Sequence, residues 1–168
     1  MNKPLHFFKF TLIFVICLAP FMALSEARPL KGNETDDSGT SSSIEQRNLD
    51  TVLQFYNLAF NQHQPRLAAE KFIGQTYTQH NPLVGDGADA FVGYFEPLFE
   101  QNPNASVSFK HQSAQDDLVW LHLNLKMNST DRGLAIIDLF RLEDGKIVEH
   151  WDVIQTVPEQ AANNNTMF

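Results

Sequence analysis

The segment Ile136–Val157, IIDLFRLEDGKIVEHWDVIQTV, sets carboxylates among bulky apolar side chains in a pattern suited to strands. Asp138 lies between Ile137 and Leu139, and Glu149 lies just ahead of Trp151. A carboxylate in mid-strand costs free energy, because the half-buried surface of a pleated strand favours apolar groups. An edge strand with one wet face is the plainer explanation. A strand lining a pocket is the other. In such a pocket, aromatic walls would desolvate the acid and raise its pKa toward a working range for proton transfer.

Register decides which side chains share a face. Asp144-Gly145 between two apolar-rich runs is a strong two-residue hairpin signal. Counted outward from that turn, Glu143 faces Lys146, Phe140 faces Glu149 and Asp138 faces Trp151, and opposed residues point the same way. The polar loop Asn128–Arg132 sets a second register, with Met127 opposite Gly133, His122 opposite Asp138 and Trp120 opposite Phe140. The two registers gather Trp120, His122, Asp138, Phe140, Glu149 and Trp151 on one face. Arg141, His150 and Asp152 fall on the other, with Arg141 and Asp152 as an ordinary ion pair. A bulge of one residue would exchange these sets. In this constellation Asp138 is the candidate general acid/base, and His122 can accept, donate or orient the proton. Taken alone, His122 reads as a hydrogen-bonded structural histidine and Glu149 as a solvated rim charge. No histidine pair has the helix spacing of a zinc motif, so no metal site is expected. Nucleophile-elbow, phosphate-loop and dinucleotide motifs are absent.

The elements that would position these residues follow from periodicity. Leu49, Val52, Leu53, Tyr56 and Phe60 recur at helical spacing from a start near Ile44. Pro65 opens a second helix, PRLAAEKFI, which Gly74 ends. Tyr77–Pro82 is extended, because the residue before a proline avoids the helical region. Phe91, Tyr94, Phe95, Leu98 and Phe99 form a third helical stripe that reads as core, with Pro97 as a kink or new turn. From Ala105 the period becomes two, and Val119, Leu121, Leu123 and Leu125 alternate with Trp120, His122 and Asn124. Helices followed by antiparallel strands define the α+β class. One helical layer covers one sheet face, so the second apolar face is expected to meet another copy in a homodimer, with Arg141, His150 and Asp152 near the contact.

Residues 1–25 hold two lysines, a long apolar run and a small-residue cleavage pattern, and read as a signal peptide. The sole cysteine, Cys17, lies inside it, so the mature chain should hold no thiol or disulfide. Residues 26–43 read as a flexible linker, 44–160 as one domain and 161–168 as a loose tail. Export to a periplasm or outside the cell follows. The net charge of −8 becomes more negative once Lys3 and Lys9 leave, which argues against nucleic acid or anionic membrane as a partner. A small-molecule ligand remains.

The succession of two helices, YTQHNP, DGADAF, VWLHLNL and IDLFRLEDGKIVEHWDVIQ resembles the SnoaL-like polyketide cyclase group of the nuclear-transport-factor-2-like superfamily, over roughly Leu49 to the C-terminus. The resemblance implies a cone-shaped α+β domain, a strongly bent antiparallel sheet wrapped over three helices, paired through the sheet. It implies that Asp138 is the general acid/base of an aldol-type ring closure without metal or cofactor. His80 and His122 match polar positions at the pocket. The function so implied is a cofactor-independent lyase or isomerase acting on a small, fairly apolar carbonyl compound. Asp138 would move the proton, and His122 or His80 would polarise the oxygen. Trp120, Phe140, Glu149, Trp151, Tyr77 and Asn81 would bind the substrate. An exported module that holds an apolar molecule without transforming it would use the same walls.

N-terminal sequencing of the exported protein should show a new terminus after Ser25 or Ala27, and an intact Met1 would refute export with cleavage.

Overall fold

The computed structural model describes residues 38–168, with side chains from residue 43 onward. The leader and most of the linker lie outside the described residues. Helix α1 spans Ser38–Tyr56 and continues into a π-helical turn at Asn57–Asn61; α2 is Pro65–Phe72 and α3 is Ala88–Gln101. The strands are β1 (Ile73–Gln79), β2 (Ser106–Gln115), β3 (Leu118–Lys126), β4 (Leu134–Glu143) and β5 (Lys146–Thr156). Helix α1 begins ahead of Ile44, so the end of the expected linker is helical. Adding residues to a formed helix is cheap compared with nucleating one. Helix α3 runs through Pro97 rather than restarting there, and the carbonyl that loses its bond belongs to exposed Gly93. None of the helices among the described residues is long and apolar enough to cross a membrane.

The five strands form one curled sheet in the order β1-β5-β4-β3-β2, antiparallel except that β1 joins β5 in parallel. Its inner face carries Val119, Leu121, Leu123 and Leu125 from β3, with Ile136, Phe140 and Leu142 from β4, all buried. They pack on Val52, Phe55, Tyr56 and Phe60 of α1 and its π turn, and on Phe91 and Phe99 of α3. Rings interlock in this layer: Phe55 lies 5.2 Å from Phe91, Phe60 4.9 Å from Phe95, and Tyr56 stacks on Phe60 at 4.5 Å. Each wholly buried ring contributes about 1.5–3 kcal/mol from area alone. Two side-chain bonds moor α1 to the β2–β3 turn. Asn48 Nδ2 donates to the Asp116 carbonyl at 3.3 Å, and the Asp116 N–H donates to Glu45 Oε1 at 3.0 Å.

The Asp144-Gly145 turn is as the sequence predicts. Both residues have positive φ, 49° and 73°, as a type I′ hairpin demands, and Glu143 faces Lys146. The register beyond the turn is different. Leu142 pairs with Ile147, but Arg141 pairs with Glu149, so Val148 is an extra residue on β5. This bulge buries Ile147 and Val148 in succession and reverses every later residue of β5. Asp138 therefore faces Asp152 and Phe140 faces His150. β1 crosses the bulge so closely that a Cβ on Gly74 would lie 2.9 Å from Val148 Cγ1, which explains the glycine. The β3–β4 register also differs by one residue. Leu125 pairs with Leu134, Leu121 faces Asp138, and Val119 faces Phe140. The physical reason is hydrophobic matching: the more apolar side of β3 joins the buried side of β4, and Trp120 and His122 turn outward.

The outer face thus carries Trp120, His122, Leu139, Arg141, Glu149 and Trp151, with Ile137 46% and Val153 72% exposed. The C-terminal segment has no helix or strand, yet Phe168 packs 5.5 Å from the His122 ring. An apolar outer face of this kind predicts self-pairing through the sheet. Sedimentation at roughly tens of micromolar should show a dimer that Ile137→Lys with Val153→Glu converts to monomer. A parent protein that is wholly monomeric would contradict this.

Candidate functional site

The bulge and the β3–β4 register assemble one polar cluster on the otherwise apolar inner face. Asp138 is 1% exposed at its centre. Its Oδ2 accepts a hydrogen bond from Tyr56 Oη at 2.9 Å, and its Oδ1 lies 2.9 Å from His150 Nε2. Tyr56 reaches it from the last turn before the π-helical segment, a distortion often found at functional sites. Phe140 packs 4.7 Å from the His150 ring and 5.8 Å from Tyr56, so all three groups are held by packing as well as by hydrogen bonds.

Behind His150 stands the end of β1. Gln79 Oε1 accepts from His150 Nδ1 at 2.8 Å and from the Asn81 N–H at 2.9 Å, while Gln79 Nε2 donates to Tyr77 Oη at 3.1 Å. Asp86 Oδ1 fixes the Gln79 backbone N–H at 2.7 Å. Asn81 Nδ2 donates to Asp152 Oδ2 at 2.6 Å. This bracing orients the imidazole. Gln79 Oε1 takes the hydrogen on Nδ1, so a neutral His150 meets Asp138 with a bare Nε2. The 2.9 Å contact then requires one proton between the two groups, as a carboxylic acid or as an imidazolium.

Burial dominates the titration of Asp138 and holds its carboxyl above the usual range, while the bonds from His150 and Tyr56 pull it back. The direction fits the magnitudes. Each bond to a charged group is worth about 1.5–3 kcal/mol, against several for burying the ion. Burial and the nearby Asp138 also push Tyr56 well above the ordinary phenol range, and Tyr77 is raised chiefly by burial. Both phenols therefore remain donors. Tyr77 Oη receives a hydrogen from Gln79 and keeps its own for a ligand.

These groups line a cavity of about 140 Å³. Its walls are Phe and Tyr rings with Leu98, Leu125, Met127 and Ile136, and its mouth is marked by exposed Leu83, Tyr94 and Ile154. A cavity of roughly this size holds a single benzene-sized ring. A wider groove of about 970 Å³ beside α1 is lined mostly by exposed residues, and its buried polar side chain, Asn48, is bonded to the Asp116 carbonyl.

The structure brings Asp138, Phe140, Tyr77 and Asn81 to the cavity and separates the other residues expected there. Trp120, His122, Glu149 and Trp151 lie on the outer face because of the two register differences. His122 Nδ1 is 3.1 Å from His111 Nδ1. His80 points outward as well: its ring stacks on Trp151 at 4.7 Å and its Nε2 meets Glu149 Oε1 at 2.9 Å. Glu149 also accepts from Arg141 Nε at 2.7 Å, and these two partners hold its carboxyl below the usual range. In place of these, the cavity receives Tyr56, Gln79, His150 and Asp152. The signal for His150 and Asp152 was the apolar pair Ile147-Val148, which strict alternation would leave half wet.

One oxygen each of Asp138 and Asp152 and one ring nitrogen of His150 lie within 4.8 Å of one another, a spacing that also suits a metal ion. The chemistry of the set favours a proton. The near oxygen of Asp138 and Nε2 of His150 are committed to each other, and the second Asp138 oxygen is committed to Tyr56.

The sequence pattern of the SnoaL-like domain matches residues 52–150. None of the curated proteins matches the chain. Among solved structures, a protein described as a polyketide cyclase from Bacillus cereus is similar at 16% identity, covering 70% of this chain and 80% of its own, with a TM-score of 0.59. One described as a SnoaL-like polyketide cyclase from a Jannaschia species is similar at 17% identity, covering 74% and 91%, with a TM-score of 0.54. A nuclear-transport-factor-2-like protein of unknown function from Mesorhizobium loti gives 17% identity, 73% and 97% coverage and a TM-score of 0.55. At these identities the likeness is one of fold.

The raised pKa of Asp138 makes a stability prediction. Its contribution is full below the unfolded carboxylate pKa and is lost as pH rises through the higher folded value. Asp138→Asn should therefore melt with the parent below the ordinary aspartate value of about 3.9 and progressively above the parent as pH rises past it. Calorimetry showing a constant difference on both sides of that value would contradict it.

Proposed function

This chain belongs to the SnoaL-like domain family, and from that premise we propose that it is a cofactor-independent acid/base lyase or isomerase for a small, fairly apolar carbonyl compound. The observation that carries the reading is the Asp138–His150 pair, buried, held at 2.9 Å and lining an aromatic cavity. When His150 holds that proton as imidazolium, Asp138 is a carboxylate next to the bound substrate. It takes a proton from the carbon beside the carbonyl, and the electron pair of that C–H bond moves to the carbonyl oxygen. Tyr77 has a free hydroxyl hydrogen to donate to that oxygen, the kind of contact that stabilises an enolate. The proton on Asp138 then returns at another carbon, giving isomerisation. In an aldol-type closure the enolate carbon instead bonds to a second carbonyl carbon of the same molecule, and Asp138 protonates the new alkoxide. The imidazolium of His150 offsets the charge throughout. Tyr77 thus takes the oxygen-polarising part expected of His122 or His80, and His150 is the histidine beside Asp138. The leader suggests that the reaction takes place after export.

Proton exchange tests this without knowledge of the natural substrate. The protein in D2O should speed deuterium entry beside the carbonyl of single-ring ketones, read by NMR. Asp138→Asn should lower that rate by ~10² or more, the scale of a lost general acid/base. Tyr77→Phe should lower it by ~10²–10³, the scale of a lost oxyanion donor. Ligand binding with no exchange in the parent would favour the exported binding module instead.

A further inference from the structure

The cavity also contains a carboxylate that proton transfer does not use. Asp152 faces Asp138 across the β4–β5 pair, half-buried, and lines the same cavity. Asn81 Nδ2 holds its Oδ2 at 2.6 Å, and Oδ1 has no protein partner among the described residues. An oxygen of Asp152 lies within 4.8 Å of an oxygen of Asp138 and of a ring nitrogen of His150. Among the described residues that line the cavity, none is lysine or arginine. The mouth residues Leu83, Tyr94 and Ile154 are uncharged as well.

These features have a chemical consequence. A ligand carboxylate or phosphate placed here would find no lysine or arginine, and His150 is already committed to Asp138 at 2.9 Å; it would face the charge of Asp152 in partly desolvated surroundings, where like charges repel strongly. A neutral ketone would bind to the walls but leave Asp152 without a ligand partner. A ligand with a hydrogen-bond donor near its reactive carbon would satisfy it. The 4.8 Å spacing places that donor within a few bonds of the carbon that faces Asp138.

We propose that Asp152 is the specificity-determining residue of this cavity, accepting a hydrogen bond from a donor group on an otherwise apolar single-ring substrate and rejecting substrates that carry an anion. The inference rests on the cavity being the site of the proposed reaction, and it names the class of molecule that reaction takes. Asn81 is the positioning residue, because it orients Asp152 through Oδ2.

Four probes of one ring size test it: cyclohexanone, 2-hydroxycyclohexanone, cyclohexylammonium and cyclohexanecarboxylate, titrated by NMR against the full-length protein. In the parent, the hydroxyketone or the ammonium should bind about tenfold or more tighter than cyclohexanone, the scale of one bond to a charged group. The carboxylate should bind weakest. The Asp152→Asn variant can keep the bond from Asn81 while presenting an amide donor to the cavity. It should lose the donor preference and bind the carboxylate better. Should the variant fail to fold, the parent's own ranking still decides. Parent affinities that are equal for all four probes, or highest for the carboxylate, would overturn the proposal, as would a donor preference unchanged in Asp152→Asn. Deuterium exchange, measured alongside, separates this from the reaction itself. Normal exchange without donor preference sinks only the role of Asp152. Donor preference without exchange sinks the acid/base reading and leaves the ligand class standing.

Discussion

A carboxylate buried inside a hydrophobic cone must be partnered on both oxygens or shed its charge, and that constraint at Asp138 organises this protein. Tyr56 takes one oxygen and His150 the other. Each partner needs support of its own. Tyr56 is set by the π-helical end of α1 and by its stack on Phe60. His150 is set by Phe140 on its flank and Gln79 behind it. Gln79 in turn depends on β1 joining the sheet in parallel beside β5, where it pairs with His150. The polar network is complete among the described residues, with no buried side-chain polar atom left unpaired. A satisfied network of this kind rigidifies its surroundings, whereas a half-satisfied one would cost more than an apolar core.

The device that makes this possible is the single extra residue at Val148. With strict alternation, β5 would present Glu149 and Trp151 to the helices and His150 to the outside. The bulge exchanges them, giving the inner face an imidazole and a second carboxylate. The outer face receives Glu149, which finds His80 and Arg141 there. Bulges commonly re-aim side chains at functional sites. Here one bulge serves both faces, and Gly74 makes room for it on the neighbouring strand.

The architecture was legible from periodicity, turn chemistry and resemblance together. Three helices, the late change to strand alternation and the Asp144-Gly145 hairpin are all present. Asp138 stood out because an acid in mid-strand is costly, and it is indeed buried. Its neighbours were harder to read, because side-chain facing has a period of two and a one-residue error inverts the whole assignment. The burial of Ile147 beside Val148 hinted at the bulge. The run Val119, Leu121, Leu123, Leu125 hinted at the β3 register. Tyr56 and Gln79 carried no comparable signal. Tyr56 fits an ordinary helical core stripe, and Gln79 fits an exposed extended segment. Their roles come from contacts with residues far away in the chain.

The shared proton of the Asp138–His150 pair is the centre of this account, and it can be measured directly. Carboxyl carbon and imidazole nitrogen shifts of protein labelled at aspartate and histidine should be followed from acid to neutral pH by NMR. Asp138 should titrate above the ordinary aspartate value of about 3.9. The His150 nitrogen shifts should change with it, because the two groups are in contact at 2.9 Å. An Asp138 that titrates in the ordinary range while His150 is indifferent to it would contradict the account.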